Sequence, residues 1–245
     1  MTAVTTLLTD FGSSDYFVGA VKGAILSVNP NVVIIDLTHE VPAHDIEAGA
    51  FMLFAAYKTF PAGTIHVAVV DPGVGSKRRP IIVTANDQFF VGPDNGIFSY
   101  IYDREPSHRV FHITAEKYFR RDPSSTFHGR DIFAPVAAAL STGVTPEQFG
   151  PLINDKVRLP SLEAPLRIIH IDRFGNCVTN ISRETYEGKS LVINGKTIGA
   201  LRNFYGEGDA KELFAIWGSA GFLEISVNGG SAARILGAKR GDTII

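Results

Sequence analysis

Thr64-Ile65-His66-Val67-Ala68-Val69-Val70 runs directly into Asp71-Pro72-Gly73-Val74-Gly75-Ser76-Lys77-Arg78. The first stretch is nearly continuous in apolar and β-branched residues, the pattern of a strand buried on both faces. The second is a glycine-rich turn with a carboxylate at its start and a guanidinium at its end. Working outward, strand-like and helix-like segments alternate. Val4 to Leu8 and Val32 to Leu37 read as further buried strands. Tyr16 to Val28 carries Phe17, Val21, Ala24, Ile25 and Val28 at helical spacing, and Ile46 to Thr59 reads as a second helix. Ile81 to Ala85 and Gln88 to Gly92 flank Asn86-Asp87, a hairpin signal. Asp131 to Leu140 is an alanine-rich helix. Alternating β and α segments with apolar strands predict an α/β domain of the sandwich type, built on a mostly parallel sheet covered on both faces.

The pattern changes after about residue 150. A proline-punctuated connector runs from Gly150-Pro151 to Ala164-Pro165. Beyond it, Leu166 to Asp172, Ser190 to Ile193, Leu213 to Trp217 and Leu223 to Val227 are short segments bounded by turn residues. That predicts an all-β domain, barrel or sandwich. The division falls near residue 160, giving an N-terminal domain over 1–158 and a C-terminal one over 159–245. With 45% apolar residues and a net charge of −2, the chain has the composition of an ordinary soluble domain and lacks the basic excess of a nucleic-acid binder. The single cysteine, Cys177, excludes an internal disulfide framework. No signal-peptide pattern or membrane-length apolar run is visible, so the expected location is the cytoplasm.

Four polar clusters fall at strand ends or turns: Thr9-Asp10-Phe11-Gly12, Asp71 to Arg78, Phe127-His128-Gly129-Arg130-Asp131 and Asp172-Arg173-Phe174-Gly175-Asn176. Ligands of open α/β sheets gather at the carboxyl ends of strands, where Asp10 and Asp71 are expected. Each cluster also has a structural reading. Asp10 could cap the helix near Tyr16, and Asp131 the start of its own helix. Asp71-Pro72-Gly73, Phe174-Gly175-Asn176 and Asp94-Asn95-Gly96 suit plain turns. His128, His39 and His44 could be local structural histidines. The chain lacks a P-loop, the G-x-G-x-x-G dinucleotide fingerprint, a G-x-S-x-G elbow and an H-E-x-x-H zinc motif. Asp71, His128 and Asp131 have metal-ligand chemistry, but Arg78 opposes a cation beside them, so no metal is expected.

Taken in order, with Gly92-Pro93-Asp94-Asn95-Gly96 added, these clusters closely resemble the S-adenosyl-L-methionine (SAM) hydroxide adenosyltransferases, relatives of the SAM-dependent chlorinases and fluorinases. The resemblance runs from Thr5 to about Gly241. It implies an N-terminal α/β domain, a C-terminal β-barrel domain and a homotrimer with sites at subunit interfaces. It implies hydrolysis of SAM to adenosine and L-methionine, with SAM as substrate and no cofactor. The positions matching the family's catalytic triad are Asp71, Arg78 and His128. Asp10 matches a ribose contact, Asp172 the methionine-ammonium contact, Asn176 and the backbone of Ala232 adenine contacts, and Ser219 a methionine-carboxylate contact. Halogenating relatives have tyrosine in place of Asp71. Fluorinases carry arginine after the matching serine, where this chain has Ala220. A SAM-dependent halogenase and a non-catalytic adenosine or SAM binder are the alternatives. The intact triad disfavours both.

Overall fold

The computed structural model describes residues 3–162 and 165–245. The chain forms two compact units, Met1–Pro160 and Ser161–Ile245.

In the first unit, β1 (Val4–Thr9), α1 (Phe17–Leu26), β2 (Val33–Thr38), α2 (Ile46–Ala56) and β3 (Ile65–Val69) alternate as the pattern requires. They are followed by β4 (Pro80–Ala85), β5 (Gln88–Pro93), α3 (Ser99–Arg104), β6 (Arg109–His112), α4 (Ala134–Ser141) and β7 (Leu152–Ile153). The strands make one sheet in the order β2-β1-β3-β5-β4-β6-β7. The first four are mutually parallel, and the remaining three pairings are antiparallel. Asn86 and Asp87 close the β4–β5 hairpin with φ of 51° and 55°, the left-handed pair a two-residue turn demands.

Neighbouring residues of each central strand face opposite cores. Leu7, Val67 and Val69 pack with Val21 and Ile25 of α1 and Val136 and Leu140 of α4. Leu8, Ala68 and Val70 pack with Ala48 and Leu53 of α2 and Ile101 of α3. Each large apolar side chain removed from water contributes about 1.5–3 kcal/mol, so the helices are bound to the sheet mainly through these two faces. The sheet reverses its winding at β1: its crossovers lead to β2 on one side and β3 on the other. Thr9 is level with Val69, so Asp10 and Asp71 leave the sheet side by side at this switch point.

Neither of the capping roles open to Asp10 and Asp131 is taken up. The start of α1 has no side-chain cap, and Asp10 instead accepts the His44 backbone N–H at 2.9 Å. Asp131 lies inside a π-helical turn over Gly129–Phe133, which then runs into α4. It is buried and accepts from Arg130 Nε at 2.7 Å and from the Ser124 N–H at 2.9 Å.

The second unit holds β8 (Ile168–Ile171), β9 (Cys177–Ser182), β10 (Leu191–Ile193), β11 (Lys196–Ile198), β12 (Leu201–Arg202), β13 (Phe214–Trp217), β14 (Phe222–Ser226) and α5 (Ala232–Leu236). Contrary to the barrel expectation, no closed barrel forms among the described residues. Five strands make an open sheet, β12-β13-β14-β9-β8, and β10–β11 is a separate two-stranded ribbon. The physical reason is that β8 pairs across its far edge with the C-terminal segment and not with β12: Ile168 N–H donates to the Asp242 carbonyl at 3.0 Å and Ile244 N–H to the Leu166 carbonyl at 2.9 Å. The chain's last residue does pair across to the ribbon, through the Val192 N–H to Ile245 C=O bond of 2.7 Å and its reciprocal of 3.1 Å.

Candidate active site

Arg78 organises the chemistry of the first unit. Its Nε donates to both oxygens of Asp71, at 3.0 and 2.9 Å, and its Nη2 donates to Asp71 Oδ2 as well. The same Nη2 lies 2.7 Å from His128 Nδ1. A guanidinium has no acceptor, so Nδ1 must hold a lone pair and the imidazole proton must sit on Nε2. Burial, followed by the neighbouring Arg78 cation, pushes the His128 pKa below its ordinary value of 6.5, which keeps the ring neutral. The ion pair itself is nearly dry, with side chains 8% and 5% exposed for Arg78 and Asp71. The guanidinium also stacks over Phe133, 5.2 Å from the ring centre, and its Nη1 is buried with no acceptor among the described residues.

Backbone geometry holds this constellation together. Gly75 adopts φ of 76°, and a Cβ placed on it would stand 2.3 Å from the Ser125 carbonyl oxygen. Only glycine lets the Arg78 loop approach the loop that delivers His128 this closely. Asp10, Asp71 and His128 line a cavity of about 290 Å³ walled by Phe11, Phe17 and Phe127. Phe127 packs edge-on against Phe11 and Phe17 at 5.9 and 5.2 Å. His44, read from the sequence as a local structural residue, also lines this cavity. It sits at φ of 66°, a strained conformation for histidine, and its N–H fixes the Asp10 carboxylate.

The second unit has its own cavity of about 730 Å³, lined by Asp172, Phe174, Asn176, Tyr205, Ser219 and Glu224 among others. Asp172 Oδ1 accepts the backbone N–H groups of Phe174 and Asn176 at 2.9 and 2.8 Å, and its Oδ2 accepts Asn176 Nδ2 at 2.9 Å. Gly175 makes this turn possible with φ of 86°; a Cβ there would stand 2.0 Å from Ser231 Oγ. Phe174, 77% exposed, lines the same cavity. Ala232 is fully buried at the start of α5, with its side chain in the apolar core; the adjacent Ser231 lines the cavity. Tyr205 and Glu224 were not found from the sequence. The available signal was a carboxylate inside the apolar strand Phe222-Leu223-Glu224-Ile225.

Family models for the SAM hydroxide adenosyltransferase N-terminal and C-terminal domains match residues 5–150 and 166–245. The chain belongs to this family. It is 36% identical over 252 residues to the (R)-S-adenosyl-L-methionine hydrolase of Methanocaldococcus jannaschii, covering 95% of this chain and 91% of that protein. It is 37% identical to the Thermus thermophilus protein of the same name, covering 96% and 95%. A fluorinase of Nocardia brasiliensis is more distant, at 24% identity over 98% of this chain and 95% of its own length. A crystal structure of a conserved Thermotoga maritima protein superposes with a TM-score of 0.92 at 35% identity, covering 98% of both chains. The Thermotoga maritima protein thus shares the fold that, in this chain, delivers Asp10, Asp71 and His128 to one cavity.

Proposed function

We propose that Asp71, Arg78 and His128 are the groups with which this SAM hydrolase directs water at C5′ of its substrate. The observation that carries this reading is the single Arg78 Nη2 that bonds Asp71 and also lies 2.7 Å from His128 Nδ1, beside a cavity walled by aromatic rings. The leaving group is a neutral thioether, so no acid is needed at sulfur. The demand falls on the nucleophile, which has to be held in line with the C–S bond and lose a proton as it attacks. Positioning of this kind lowers a barrier by several kcal/mol.

The hydrogen bonds suggest a division of labour. His128 Nδ1 is committed to Arg78, so the ring offers Nε2–H, a donor that orients the water oxygen. Arg78 Nη1 supplies a buried donor for the developing hydroxide. Asp71 is then the proton acceptor. The water oxygen forms a bond to C5′, the C–S bond breaks with its electron pair going to sulfur, and the water proton passes to Asp71. Asp10 accepts from the ribose hydroxyls, Asn176 and the Ala232 backbone meet adenine, Asp172 meets the methionine ammonium and Ser219 the carboxylate. The preferred sulfonium epimer is the (R) form named for the relatives. The working form is a homotrimer, and SAM is a substrate for which no cofactor is needed.

Incubation with SAM is expected to release adenosine and L-methionine in equal amounts, with Asp71→Asn reduced by at least about 100-fold, the lower end for a lost general base. Unchanged turnover in Asp71→Asn would overturn the assignment. Chloride-dependent formation of 5′-chloro-5′-deoxyadenosine would mark halide rather than water as the nucleophile.

A further inference from the structure

Glu224 stands out among the charged groups of the second unit. It lies on β14 between Leu223 and Ile225, both fully buried, yet its carboxylate turns into the cavity that contains Asp172. The residue is 8% exposed. Its protein partner is Tyr205, whose hydroxyl donates to Oε2 at 3.2 Å. Arg234 lines the same cavity but is exposed and forms no ion pair with it; among the described residues no lysine or arginine neutralises Glu224. Burial, with Asp172 adding repulsion, pushes the Glu224 pKa up despite the Tyr205 bond. A buried carboxylate beside a second carboxylate is costly unless a cation joins them.

Local packing preserves this arrangement. Gly218, at the end of β13 beside Ser219, leaves open the space that Glu224 occupies: a Cβ on Gly218 would lie 1.8 Å from Glu224 Oε1. Among the described residues, Asp172 Oδ2 accepts only the Asn176 amide and Glu224 Oε1 accepts no protein donor. The cavity therefore presents two carboxylates with free lone pairs, a phenol and the Ser219 hydroxyl. A primary ammonium, with one positive charge and three N–H donors, meets that set; a sulfonium has no N–H to offer.

We infer that Glu224 is a second carboxylate ligand, with Asp172, for the ammonium of the substrate's amino-acid end, held in place by Tyr205 and the missing side chain of Gly218. This rests on the SAM reading above and adds a specificity-determining residue to it. Glu224 touches a part of SAM remote from C5′, so its loss removes binding that is equal in ground state and transition state. A charge-assisted hydrogen bond of about 1.5–3 kcal/mol corresponds to roughly 10- to 100-fold in affinity.

The test uses the full chain in two arms. In the first, Glu224→Gln and Gly218→Ala are assayed for SAM turnover. KM is expected to rise at least about tenfold with kcat within about threefold, while inhibition by adenosine, which has no ammonium, stays unchanged. Gly218→Ala keeps the charge and only displaces it, so it separates the position of the carboxylate from its presence. In the second arm, SAM and 5′-methylthioadenosine are titrated into Asp71→Asn with and without Glu224→Gln. Only SAM is expected to weaken. The inference is overturned by an unchanged affinity for SAM in Glu224→Gln, by equal weakening of both ligands, which marks a purely structural role, or by failure of Asp71→Asn to bind SAM. If the wild-type chain releases no adenosine but the second arm still discriminates the two ligands, the hydrolase reading fails and the ammonium site stands.

Discussion

At the scale of single residues, His128 carries a sharp pH expectation. Its ring is half-buried and faces the Arg78 cation, and both effects lower its pKa from 6.5. Protonation at Nδ1 removes the acceptor that Arg78 Nη2 now uses and sets two cations against each other. Because the folded-state pKa lies below the unfolded one, the unfolded chain takes up the proton first. This histidine therefore costs stability as pH falls below 6.5, and the cost grows until the folded-state pKa is reached. Activity is expected to hold through pH 6.5 and to fall on an acid limb below it. A pH profile of kcat/KM checks this, and a limb centred above 6.5 would contradict the neutral ring. His128→Ala is expected to lose about 100-fold or more and to lose the limb with it. Asp71, Arg78 and His128 were legible in the sequence as residue types at a strand end and before a helix. Their bonding was not, because 50 residues separate Arg78 from His128 and only the fold sets the 2.7 Å contact.

Elements decide how the loops meet. The strand Thr64–Val70 was legible because its side chains are apolar on both faces, as a central parallel strand demands. β9 was not legible, because Thr179 and Asn180 look like turn residues. Both are buried, and their polar atoms are satisfied within the unit. Thr179 Oγ1 donates to the Leu223 carbonyl at 2.7 Å, and Asn180 accepts the Arg167 N–H at 2.7 Å. α5 escaped notice for a different reason: five residues are too few for periodicity, and the helix is defined by its ends. Ser231 caps its start and Gly237 ends it at φ of 60°. The Gly75 turn supplies this scale's prediction. Gly75→Ala both strains a positive φ and drives a methyl into the Ser125 carbonyl, so the Arg78 loop has to move away from His128. The sheet and its two cores lie elsewhere, so kcat is expected to fall at least tenfold while the thermal midpoint drops only a few degrees, the response to about 1–2 kcal/mol. Activity assays paired with thermal melts separate the two effects. A variant that loses fold and activity together would refute a local role.

On the scale of the whole molecule, the proposed chemistry is divided between two compact units. The ribose carboxylate and the water-directing triad belong to Met1–Pro160, and the ammonium and adenine contacts belong to Ser161–Ile245. The edge strand β2 leaves Val33 and Ile35 44% and 37% exposed, the kind of edge that a subunit partner covers. In a trimer of shared sites, each site draws one half from each of two subunits. Asp71→Asn damages only the first half and Asp172→Asn only the second. Asp172→Asn acts through ammonium binding, so turnover is read at SAM far below the wild-type KM; co-expressed with different tags and purified through both, the two impaired variants form mixed trimers in which some sites receive two intact halves. With random assembly in equal amounts, about a quarter of sites are restored, since each intact half is drawn with a chance of one half; selecting for mixed trimers only raises that fraction. Light scattering is expected to report a trimeric mass, and at low SAM the mixture is expected to regain about a quarter or more of wild-type turnover where each variant alone shows a small fraction of it. A trimer that regains nothing would mean that each subunit supplies both halves of its own site, and a monomeric mass would remove the shared-site reading altogether.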